Sequence, residues 1–169
     1  HPVTTFCLPR FSSLVAQNER TIFTFLSTND YYSLGDFLTR HQEQDFALLT
    51  IDQLYDYFEP QLRSTDTEDR IKKIWFSTRE ALARLTPEEV DEAALLKAIG
   101  VFSVLGMPTV LPITQESLKL SFWGTEICGA RYDNAIKVLL NKGVLFEGGH
   151  TGALELIDPG ELHLDEEVQ

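Results

Sequence analysis

The 169-residue chain carries 14 Lys/Arg against 26 Asp/Glu, a net charge of −12, and 43% of it is hydrophobic. That length and apolar content suffice for one domain or two small ones with a proper core, and the charge argues against a general polyanion binder. Nothing approaches 18 consecutive apolar residues, so no membrane span is expected.

The acid is unevenly placed. Residues 1–91 hold nine Lys/Arg against fifteen Asp/Glu, residues 92–157 five against six, and residues 158–169 five acids with no Lys or Arg. Cys7 and Cys128 have no metal-ligand spacing and read as buried free thiols of a cytoplasmic protein. The chain opens His1-Pro2 with no signal-peptide pattern behind it, which reads as a piece excised from a longer polypeptide.

In chain order, the spacing of Phe11, Leu14, Val15, Ile22, Phe23, Phe25 and Leu26 predicts one helix over residues 9–26, interrupted in polarity by Gln17-Asn18-Glu19-Arg20. Ser33 can cap a short helix through Leu34, Phe37 and Leu38, and residues 40–45 read as a polar loop. Thr50 or Asp52 can cap a helix over 53–58, with Pro60 near its end. After a polar break at 64–67, a long amphipathic helix is expected over 68–85, with Ile71, Ile74, Trp75, Thr78, Leu82 and Leu85 on one stripe.

Residues 92–106 organise the rest. Lys97 is the only charge between Ala93 and Leu105, and a helix apolar all round must be wrapped on several sides. Thr86, Pro87 and Glu89 offer an N-cap, a first helical position and a capping box, and Gly106 a stop. Residues 108–112 connect in extended form to a helix capped by Thr114 and ended by Gly124. A further helix over 131–142 stops at Gly143. Two short strands, 144–147 and 153–157, flank a glycine-rich hairpin loop at 148–152. Three helices and a hairpin follow winged-helix order. The expected fold is therefore mainly α: an N-terminal helical bundle (1–85), a winged-helix domain with one small β-hairpin (86–157) and an acidic exit segment (158–169).

Candidate chemistry is sparse. His1, His41, His150 and His163 are dispersed, so no metal is expected, and no catalytic constellation forms a local motif. The loop at 148–152 lacks the Lys-Ser/Thr of a phosphate loop. The helix at 131–142 holds the recognition position of a helix-turn-helix, with Arg131, Asn134, Lys137 and Lys142 as the residues that would meet nucleic acid. Asp133 among them, and a domain that is not basic, argue against that use. Gln17, Asn18, Glu19 and Arg20 are the candidate coupling residues. Four polar residues in a row exceed the solvent face of a helix, so they form an internal network or place Arg20 against a phosphate or carboxylate of an adjoining domain.

His1-Pro2, Leu8-Pro9 and the run from Gln17 through Leu26 resemble a segment of large bacterial P-loop ATP-binding proteins of AAA/STAND-like type, where it follows the nucleotide-binding core. The run from Asp52 to Phe58, the helix around Leu96-Lys97-Ala98-Ile99 and the hairpin near Gly148 look similar in the same order. The resemblance implies a lid-like helical region plus winged helix. ATP and Mg would be bound only in a missing upstream domain, because this chain has no Walker A loop and no Walker B strand. The expectation is a non-catalytic regulatory or interaction region, cytoplasmic, with the adjoining P-loop ATPase domain as partner and self-association left open. A winged-helix DNA-binding regulator is the alternative.

Overall fold

The fold is organised around α6 (Val90–Leu105), eleven of whose sixteen residues are buried. A computed structural model describes residues 1–15, 21–41, 46–64, 67–149 and 152–157. Among these, eight helices and one two-stranded antiparallel sheet are present. The protein is mainly helical with a small hairpin, as its periodicities predict.

Five helices precede α6: α1 (Pro2–Val15), α2 (Ile22–Ser27), α3 (Leu34–Arg40), α4 (Asp52–Leu62) and α5 (Asp69–Leu82). Two follow it, α7 (Gln115–Ser121) and α8 (Ala130–Asn141), and then strands β1 (Leu145–Glu147) and β2 (Leu154–Leu156). Helix α6 packs against α1, α4, α5, α7 and α8. One apolar cluster accordingly runs from Cys7 and Phe11 through Leu95, Ile99 and Phe102 to Leu139, Leu145 and Leu154. Gly100 permits the close approach of α5. A methyl group there would lie 2.9 Å from Thr78 Oγ1 and 3.3 Å from Tyr55 Cε2. Gly106 ends α6 with φ 59°, the left-handed conformation expected of a C-terminal glycine.

Several boundaries differ from the expectation. Instead of one helix over 9–26 there are two, because Thr21 caps a new one. Its hydroxyl accepts from Thr24 N, and Thr24 Oγ1 accepts from Thr21 N (2.8 Å), a reciprocal box built from two threonines. Pro9 and Pro60 both lie inside helices. Helix α4 is capped by neither Thr50 nor Asp52: Ile51 holds the N-cap without a side-chain bond, and Asp52 is the first helical residue. Residues 86–89 form a turn, in which Glu89 Oε2 accepts from Thr86 N (2.7 Å). Half of the expected capping box exists, but α6 starts at Val90 with Glu89 as N-cap. Thr114 does cap α7.

The hairpin pairs Leu145 with Leu156 and Glu147 with Leu154. Its root is latched to α7, since the Gln115 amide donates to both Glu147 carboxylate oxygens (3.0 and 2.9 Å) and Leu154 N donates to Ile113 O (2.7 Å). Both cysteines are free, but only Cys7 is buried. Cys128 is exposed, contrary to expectation, because it lies in the turn before α8. Among the described residues no helix is long and apolar enough to cross a membrane.

Candidate functional site

The surface with the most organised chemistry lies where α8 crosses the N-terminal turn of α6. Gly129, with φ 56°, turns the chain into α8 and sets Arg131 in its first turn. Arg131 donates from Nε and Nη2 to the two Asp91 carboxylate oxygens (2.8 and 2.6 Å), and its Nη1 lies 3.5 Å from Glu126. At the other end of the helix, Lys142 Nζ donates to Glu89 Oε2 (2.6 Å). Arg131 and Lys142 are eleven residues apart, about 16 Å along a helix, whereas Glu89 and Asp91 are near neighbours. The two long cationic side chains converge on one helix terminus. Glu89, Asp91 and Glu92 also sit where the α6 dipole favours negative charge.

The Asp91 hydrogen bond raises the Arg131 guanidinium pKa, and the Lys142 bond, then the Thr86 backbone, lowers that of Glu89. Both shifts favour the charged forms. The remaining pair of predicted α8 residues differs: Asn134 and Lys137 are exposed and make no hydrogen bond or ion pair among the described residues. Lys119 of α7 holds Asp133 at 3.1 Å and lies over the Tyr132 ring, which fixes the first turn of α8 from a second side.

Beside the Asp91–Arg131 pair opens a cleft of about 760 Å³, lined by Phe37, His41, Phe46, Gln53, Val90 and Glu126 among others. Within it Gln53 Oε1 is buried and accepts no hydrogen bond from the described residues. One turn along α4, Asp56 pairs with Lys97 of α6 at 2.8 Å, the two side chains being 17% and 23% exposed. Burial pushes the carboxyl of Asp52 up, with the Thr50 hydroxyl pulling the other way. The cleft itself has a polar wall holding the Asp91–Arg131 pair and an aromatic wall of Phe37 and Phe46.

Arg20, Gln17, Asn18 and Glu19 lie outside the described residues, as do His150 and His163. Among the described residues no three His, Cys, Asp or Glu side chains are grouped so as to hold a metal. Sequence reasoning missed Asp91 and Glu89 as partners of α8, since pairs 40 and 53 residues apart leave no local pattern. Compared with known proteins, the chain matches no family model, no curated protein and no solved structure.

Proposed function

We propose that this chain is a regulatory or interaction region built from a helical bundle and a winged helix, which reports the state of an adjoining P-loop ATPase domain. The observation that carries the reading is the double clamp on α8. Two cations at the ends of a would-be recognition helix, Arg131 and Lys142, are bonded to Asp91 in the first turn of α6 and to Glu89 at its N-cap. Helix α6 also packs on α1, α4 and α5, so these pairs link α8 to the bundle. A shift of the bundle would move α8 through this clamp. ATP and Mg would belong to the adjoining domain and not to this region.

The sequence encoded upstream of His1 tests the family part of the proposal. A glycine-rich loop ending in Lys-Ser/Thr, followed by a helix, supports it, and an upstream sequence without one overturns it. The alternative, a DNA-binding regulator, is favoured only by exposed Asn134 and Lys137. Submicromolar binding to duplex DNA at about 150 mM salt would establish it.

A further inference from the structure

The cleft beside the Asp91–Arg131 pair has a lopsided set of unfilled valences. Its guanidinium donor is already engaged: Arg131 Nε and Nη2 donate to Asp91, and Nη1 faces Glu126 at 3.5 Å. The Thr125 hydroxyl is committed as well, donating to Phe122 O (2.6 Å) and accepting from Ile127 N (3.2 Å). Acceptors remain. Gln53 Oε1 is buried with no donor among the described residues, and the Glu126 side chain is 91% exposed. Two carboxylates, Asp91 and Glu126, stand against one guanidinium in the lining, in a chain of net charge −12. That field repels an anion and draws in a cation.

Apolar surface completes the cleft. The Phe37 and His41 rings lie 4.4 Å apart between centroids, while Phe46 and Val90 are 87% and 65% exposed. Aromatic faces attract ammonium and guanidinium groups as well as covering apolar ones. A volume of about 760 Å³ falls in the range of small-ligand sites, about 300–1,000 Å³, and is far too small for a folded partner.

We propose that this cleft binds a small organic cation, a primary amine or guanidine joined to a flat apolar body. The cationic head pairs with Glu126. Gln53, whose terminal amide torsion is soft enough to turn Oε1 toward the cleft, accepts a further hydrogen bond from the ligand. The apolar body lies against Phe37, Phe46 and Val90. The site stands on the cleft's own groups and does not depend on an adjoining ATPase domain.

Titration of the full chain with 2-phenylethylamine, followed by backbone amide NMR, tests this, with 3-phenylpropanoate as a probe of similar shape and opposite charge. The proposal expects saturable shifts centred on residues 46–53, 90–91 and 124–131, with a Kd on the order of 1 mM for so small a probe. The carboxylate should bind at least about tenfold more weakly. Glu126→Gln should weaken the amine about twofold to fivefold without lowering Tm, because that side chain is exposed. Any of four results overturns the proposal: no saturable shift by about 20 mM amine, shifts centred elsewhere, equal binding of the carboxylate, or unchanged amine binding by Glu126→Gln.

Discussion

Lys97 on α6 and Arg131 on α8 each hold an aspartate closely, at 2.8 and 2.6 Å, yet the two pairs do different work. Lys97 and Asp56 are about four-fifths buried between two core helices, whereas Arg131 is 53% exposed over Asp91. A buried pair must be kept whole, because removing one charge strands the other out of water. An exposed pair gains little net energy but fixes where a helix lies. The Lys97–Asp56 pair therefore bears on stability, whereas the Arg131–Asp91 pair bears on where α8 lies.

The largest effect should come from the apolar part of α6. Phe102, 1% exposed, should cost about 3–5 kcal/mol on replacement by Ala, measured by urea unfolding. A loss below about 1 kcal/mol would remove α6 from the centre of the core. Lys97→Met should cost about 3 kcal/mol at neutral pH because Asp56 loses its partner. Burial already raises the Asp56 carboxyl, opposed by Lys97, so its removal raises that pKa further. A carboxyl raised on folding contributes stability that is fully present below its ordinary pKa and lost as pH rises through the folded one. The deficit of Lys97→Met should thus shrink as pH falls through the carboxylate range. A deficit independent of pH would show that Asp56 is not the group responsible.

Gly100→Ala should destabilise by about 1–2 kcal/mol even though Ala is the better helix former, since the new methyl group presses on Thr78 and Tyr55. Thermal melts of this variant beside an added Thr78→Ser, which removes one contacting methyl, should show partial recovery. The smallest effect belongs to the surface: Arg131→Ala should cost less than about 1 kcal/mol while loosening α8, seen as faster hydrogen exchange in its first turn.

How much of this was legible in the sequence follows the same division. The all-round apolar run of α6, its stop at Gly106, the Thr114 cap and the hairpin rest on local patterns and are where the spacing places them. The break between α1 and α2 was hidden because a Thr21–Thr24 box resembles ordinary mid-helix threonines. Pro87 suits a first helical position and so argues for an earlier start of α6, yet residues 86–89 close on themselves in a turn. The clamp on α8 was invisible for a deeper reason. Arg131 and Lys142 announce charge, but only the tertiary path that brings Glu89 and Asp91 across α8 decides whether that charge faces inward.

Fluorescence anisotropy of labelled duplex DNA titrated with the full chain at about 150 mM salt tests the central claim most directly. With Arg131 and Lys142 engaged by acids and net charge −12, no saturable binding should appear below about 10 μM protein. A submicromolar Kd that is abolished by changing Arg131 and Lys137 together to Glu would contradict the account and make α8 a reading helix.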